Sequence, residues 1–323
     1  MTAGFLVVHK PHGITSHDVV AVVRAVTGIK KVGHTGTLDP FATGVLPLAL
    51  GPCTRLIEYL HEEIKVYDAT IKLGEATDTG DYTGAVVDTQ VVPAFSDEAL
   101  SQVVSGMLGE QMQVPPMYSA IKVRGKALYK YAREGKPVEV PARKIHVYGL
   151  EVIERAGSRL RVLLTCSRGT YARVIADDLA KALGTRGHLV ALERPRSGPF
   201  ELAGALTFDT LAGLVAPESG RSWQDVLMAR KKREDRVPWR PRSEVLEALA
   251  SYLVPPVTAL GHMPLIDVPA PVARRIRSGS VPRLPTPGMS VGQRFLAVQG
   301  GDLVAVMELQ EAGVRCLKAV PER

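Results

Sequence analysis

Cysteine is scarce and scattered. Cys53, Cys166 and Cys316 are the three thiols in 323 residues, and none stands at a CxxC spacing from another. That excludes a disulfide framework and a thiolate metal site, and it predicts a reducing compartment, the cytoplasm. No uninterrupted apolar run of about 18 residues is present, so no membrane-spanning helix is expected. The first ten residues lack a basic stretch followed by a long apolar one, so they do not read as a signal peptide. No internal repeat of fixed period is visible, and no GK[ST] ending marks a phosphate-binding P-loop.

What is present is ordinary for a globular protein: 46% apolar and 23% charged residues. The length suggests about two domains. Charge is the more informative feature. Forty Lys and Arg stand against 33 Asp and Glu, a net +7. The excess is concentrated in three islands: +6 over 117–144, +5 over 221–242 and +5 over 272–294, on a remainder of −9. Basic islands on an acidic body favour a polyanionic partner that touches several places.

Periodicity predicts a strand over Phe5 to Val8. A helix follows, opened by Thr15 and Asp18 at capping-box spacing, with Val19, Val22, Val23 and Val26 on one face and Gly28 as its stop. Lys65 to Leu73 alternates as a strand, with Tyr67, Ala69, Ile71 and Leu73 on one side. Ile145 to Glu154 and Arg159 to Ser167 read as an antiparallel hairpin, and Tyr171 to Leu183 as a helix. Strands arranged in hairpins rather than strict βαβ alternation give an α+β class with a mixed, largely antiparallel sheet and flanking helices. Eight prolines between Val254 and Pro287 mark a change of texture. Three short strands after it predict a small all-β module.

The most unusual stretch is Gly33-His34-Thr35-Gly36-Thr37-Leu38-Asp39-Pro40-Phe41-Ala42-Thr43-Gly44. Its glycines permit backbone conformations that other residues resist. Asp39-Pro40 is a turn starter. Taken alone, Asp39 reads as a turn residue, His34 as a loop histidine and Tyr67 as a half-buried strand tyrosine. Arg173 stands in the first turn of its helix, where a cation is disfavoured unless an anion is near.

This stretch resembles the catalytic motif of the TruB family of tRNA pseudouridine-55 synthases. Five further segments resemble that family in order. Lys10-Pro11-His12-Gly13-Ile14-Thr15-Ser16 is similar to KPxGxTS, and Lys65-Val66-Tyr67 to KxY. Gly74 to Asp81 is similar to GxxTDTxD, Pro115 to Lys122 to PPxYSAxK, and Cys166 to Arg173 to CSxGTYxR. His9 stands where the family usually has Asp.

The resemblance implies a cofactor-free, metal-free isomerase. Asp39 would be the nucleophile on the target uridine, at ribose C1′ or base C6. Tyr67 would lie against the base and relay a proton. Arg173 would keep Asp39 ionised, His34 would touch RNA beside the flipped nucleotide, and Leu192 would pack beneath the tyrosine. Lys10, Lys122, Arg124, Lys126 and Lys130 would bind substrate. The chain would divide into a catalytic domain, 1–264, and a PUA-like RNA-binding domain, 265–323. The catalytic domain would carry a thumb-like insertion at about 117–144 and a basic insertion at about 219–246. The partner would be the T-arm stem-loop of tRNA, bound by a monomer without protein partners. Two other readings stand beside it: an RNA-binding or tRNA-folding protein whose catalysis is secondary, which the same islands would serve, and the catalytic subunit of a guide-RNA particle. The thumb insertion argues against the latter.

Overall fold

The structure is a computed structural model. It describes residues 3–60, 64–136, 138–217, 220, 222–232 and 240–322. Contacts divide the chain into two compact units. One comprises Met1–Pro40, Val45–His61 and Pro199–Arg323; the other comprises Phe41–Gly44 and Glu62–Gly198.

In the first unit, Gly4–Lys10 is a nearly continuous buried strand. It pairs antiparallel with Leu253–Val254 and neighbours Thr43–Leu50, which pairs in turn with Val32–His34. The Ser16–Thr27 helix follows the valine periodicity. Thr15 forms the expected capping box with Asp18, and Gly28 closes the helix in the left-handed conformation. The C-terminal segment forms a four-stranded sheet in the order Leu265–Asp267, Arg294–Gln299, Asp302–Gln310, Gly313–Ala319. The first pair is parallel and the others antiparallel.

This module is not purely strands. Its proline-rich entry holds a helix, Ala270–Arg277, with Pro269 at the N-cap and a proline in the first turn. Proline costs nothing there, because those N–H groups have no helical partner to lose. The sheet shares a core with the rest of the unit: Leu296, Val306 and Val320 pack in one cluster with Phe5, Leu56 and Phe200. Lys318 pairs with Glu58 at 2.9 Å beside it.

Between these parts, the basic 219–246 segment carries the helix Trp223–Lys232 and the start of the helix Arg242–Leu249. Trp223–Lys232 packs on the Ser16–Thr27 helix. Trp223 sits edge-on to Phe208 at 5.0 Å, and Val226 and Leu227 are buried. Arg221 and residues 233–239, including Trp239, lie outside the described residues.

The second unit is built on an antiparallel ladder: Gly187–Ser197, Lys65–Leu73, Arg159–Cys166, Arg143–Ala156 and Gly109–Gln113, in that order. Thr43 and Gly44 run parallel to Glu193 and Arg194 at its edge. Alternation in Lys65–Leu73 buries Tyr67, Ala69, Ile71 and Leu73 on one face, as the sequence predicts. Gly187–Ser197 is disguised by its charges and by Pro195. Its register against Lys65–Leu73 breaks between Glu193 and Arg196, so the proline falls in an irregularity of the ladder. The Ala172–Ala182 helix packs on this strand. The thumb-like stretch is a two-stranded hairpin, Lys122–Val123 with Lys126–Ala127, followed by the Leu128–Arg133 helix. Among the described residues, no helix is long and apolar enough to cross a membrane.

Candidate active site

The turn that carries Asp39 is built by the segment 10–16. Ser16, buried in the first turn of its helix, bonds Leu38 twice. Its Oγ accepts from the Leu38 N–H at 2.9 Å and donates to the Leu38 carbonyl at 3.1 Å. On the other side of Asp39, the Pro40 carbonyl accepts from the Gly13 N–H at 2.8 Å and from Lys10 Nζ at 3.2 Å. Lys10 Nζ also donates to the Pro11 and Ile14 carbonyls at 2.9 and 2.8 Å. Its side chain is fully buried among backbone oxygens. The structure therefore places Lys10, expected from the resemblance as a substrate contact, inside the scaffold of the turn.

Asp39 itself is half-buried. His34, also half-buried, stands edge-on to the exposed His17 at 5.5 Å. The stretch leaves its turn through Gly44, whose φ is +106°. A Cβ there would lie 2.4 Å from the Arg194 carbonyl oxygen. A side chain is excluded by both conformation and space.

Tyr67, Arg173 and Leu192 belong to the second unit. Tyr67 is buried, 7% exposed, opposite Leu164. Leu192 is opposite Ala69, so it lies on the same sheet face as Tyr67 and diagonal to it. This is the register in which an apolar side chain reaches an aromatic ring on the neighbouring strand.

Arg173 is held at the start of its helix. Tyr171, the N-cap, has no side-chain capping bond. Gln113 holds the backbone of the N-cap residue instead, accepting from the Tyr171 N–H at 2.8 Å and donating to the Tyr171 carbonyl at 3.3 Å. The Arg173 guanidinium is 4% exposed and donates to the Thr79 carbonyl at 2.6 Å and the Tyr118 carbonyl at 2.8 Å. Its Nη1 stands 3.9 Å from the buried Asp81 carboxylate. That carboxylate is oriented by Thr79 and by the Thr83 N–H, each at 3.0 Å. A cation in a first helical turn needs an anion nearby, and Asp81 is one to which the sequence assigned no role. Asp81, Thr79 and Tyr118 all stand in the quoted motifs, so the signal was there without an assigned task. Burial pushes the Cys166 thiol, opposite Lys65 in the ladder, up to about 11, so it stays protonated and unreactive at neutral pH.

The candidate phosphate contacts divide. Lys122, Arg124 and Lys130 are exposed. Arg124 and Gly125 form the two-residue hairpin tip with φ of +50° and +79°, the primed-turn geometry that matches strand twist. Lys126 is half-buried and committed at home, paired with Glu134 and placed 4.6 Å over the Tyr131 ring.

Comparison with known proteins defines the class. A profile described as TruB family pseudouridylate synthase (N terminal domain) matches residues 24–172. A protein named tRNA pseudouridine synthase B from Geobacter sulfurreducens is 41% identical over 94% of this chain and 93% of its own length. One of the same name from Bacillus licheniformis is 40% identical over 98% of this chain and 92% of its own. Among solved structures, a Cbf5-Nop10-Gar1 complex contains a chain with TM-score 0.66 and 25% identity, covering 98% of this chain and 84% of that one. An H/ACA RNP bound to a substrate RNA shares the fold at TM-score 0.67 and 23% identity, over 99% and 86% of the two chains. These matches define a pseudouridylate synthase, an isomerase. The chain belongs to the TruB family.

Proposed function

We propose that the protein converts uridine 55 in the T loop of tRNA to pseudouridine, with Asp39 as nucleophile. Similarity over nearly the full length to proteins named tRNA pseudouridine synthase B carries this reading. The reaction is an isomerisation. The bond from N1 to C1′ breaks, the base turns, and a bond from C5 to C1′ forms. The C5 proton leaves and one is taken up at N1, so no atom is gained or lost. A carboxylate nucleophile at C1′ or at C6 can hold the covalent intermediate between the two bonds, and no cofactor is called for.

Reaching the base requires it to leave the RNA stack, at a cost of a few kcal/mol. Tyr67 supplies an aromatic face that offsets part of it and a phenol that relays the proton. Arg173 favours the ionised form of the nucleophile, His34 touches the RNA beside the flipped nucleotide, and Leu192 supports the ring. The exposed Lys122, Arg124 and Lys130 contact T-arm phosphates. Such contacts give affinity and salt dependence rather than sequence reading. Residues 265–323 act as a PUA-like RNA-binding module. The protein works as a cytoplasmic monomer on bare tRNA.

The test is to map pseudouridine in an unmodified tRNA transcript after incubation with the purified chain alone. Conversion at position 55 is expected. Asp39→Asn is expected to give none. Conversion elsewhere, or an active Asp39→Asn, overturns the reading.

A further inference from the structure

We infer that Ser16 is a positioning residue for the Asp39 nucleophile, acting through the backbone of Leu38. The inference rests on the reading of Asp39 given above. Each side of Asp39 is fixed from one upstream segment. The Leu38 carbonyl belongs to the peptide whose nitrogen is Asp39's own, and Ser16 Oγ donates to it at 3.1 Å while accepting from the Leu38 N–H at 2.9 Å. One hydroxyl therefore fixes the two peptide planes that flank Leu38 and sets where the Asp39 backbone begins. Beyond Asp39, the proline ring fixes φ of residue 40, and the Pro40 carbonyl is held by the Gly13 N–H and Lys10 Nζ.

The adjacent hydroxyl does something else. Thr15 Oγ1 accepts from the Asp18 N–H at 3.1 Å and donates to Asp18 Oδ2 at 2.7 Å, capping its own helix. The two residues thus divide the work: Thr15 starts the helix, and Ser16 uses that helix as an anchor for a turn 22 residues further on. Ser16 is 1% exposed, so no water replaces its hydroxyl when it is removed. The Leu38 peptide groups then lose their partner, and the turn relaxes around its remaining hold at Pro40. A nucleophile displaced by even an ångström loses up to about a hundredfold in rate.

The pair of hydroxyls supplies its own control. Ser16→Ala and Thr15→Ala, in the full chain, each remove one buried or capping hydroxyl from the same helical turn. Single-turnover pseudouridine formation is measured with enzyme in excess over a tRNA transcript, with RNA affinity by filter binding and stability by thermal melting. Ser16→Ala is expected to slow the single-turnover rate roughly 10- to 100-fold with RNA affinity within about twofold of the parent. Thr15→Ala is expected to melt earlier yet react within about twofold of the parent rate. Ser16→Cys, of nearly the same size with weaker hydrogen bonding, is expected to fall between, and it carries the comparison if Ser16→Ala does not fold.

Equal slowing in Thr15→Ala and Ser16→Ala would reduce Ser16 to a merely structural residue and overturn the inference. So would an unimpaired rate in Ser16→Ala. Asp39→Asn is run beside them. If it is inert while Ser16→Ala is unimpaired, only the clamp fails; if Asp39→Asn retains activity, the nucleophile reading fails and the clamp with it.

Discussion

Replacing Gly44 with alanine tests whether the motif loop is closed by backbone contact. Two costs combine at this position. The φ of +106° is strained for any residue with a Cβ, a cost of about 1–2 kcal/mol. The added carbon would also stand 2.4 Å from the Arg194 carbonyl oxygen and 2.5 Å from the Arg194 nitrogen. These are backbone atoms of a paired strand, unable to swing aside as the end of a side chain would, and such overpacking costs about 1–3 kcal/mol. The sum is about 2–5 kcal/mol, and at about 2–4 °C per kcal/mol the melting midpoint should fall by roughly 5–20 °C.

Two other glycines separate the contributions. Gly13 has φ +86° with no atom within 4 Å of a Cβ, so Gly13→Ala should show the conformational cost alone, about 1–2 kcal/mol. Gly33 lies in a strand with an Ile57 methyl at 3.5 Å and a Thr54 methyl at 3.9 Å, ordinary contacts, so Gly33→Ala should fall within about 1 kcal/mol of the parent. Thermal and urea unfolding of the three purified variants gives the order directly. A Gly44→Ala protein no less stable than Gly33→Ala would refute the reasoning.

Three further outcomes follow from the same geometry. Lys10→Met leaves the Pro11, Ile14 and Pro40 carbonyls without their cation and should destabilise by about 2–4 kcal/mol in urea unfolding. The salt slope of its tRNA binding should stay unchanged, because Lys10 is buried. Arg124→Ala, at the exposed hairpin tip, should instead lower that slope by about one without altering the melting midpoint.

Arg186 clamps Asp177 with two bonds of 3.0 Å and reaches Asp88 at 2.9 Å. Burial pushes the Asp177 carboxyl up, and the Arg186 and Lys181 hydrogen bonds outweigh it, so the group ends below its ordinary range. A depressed carboxylate stabilises the fold above its unfolded pKa of about 4 and loses that contribution as pH falls through the lower folded value. Arg186→Ala should therefore be less stable than the parent by about 2 kcal/mol at pH 7. The gap should narrow below about pH 4 when melting is followed across pH.

Local rules made part of this molecule legible from its residues alone. The Thr15–Asp18 capping box, the alternation of Lys65–Leu73 and the hairpin around 156–158 are set by neighbours a few positions apart, and each forms as read. The motif order also marks the family, because chemistry-bearing residues keep their spacing along the chain.

What local rules cannot reach is decided by partners far away. Gly187–Ser197 looks irregular until Lys65–Leu73 and Thr43–Gly44 pair with it and its proline falls at a break in register. Lys10, expected to bind substrate, is instead surrounded by three carbonyls. Arg173 finds Tyr118 and Thr79, 55 and 94 residues away. Ser16 finds Leu38 because a helix and a turn meet. A side chain's charge and size are written in the sequence. Whether it meets water, phosphate or a backbone oxygen depends on what the fold brings against it, and only the tertiary structure decides that.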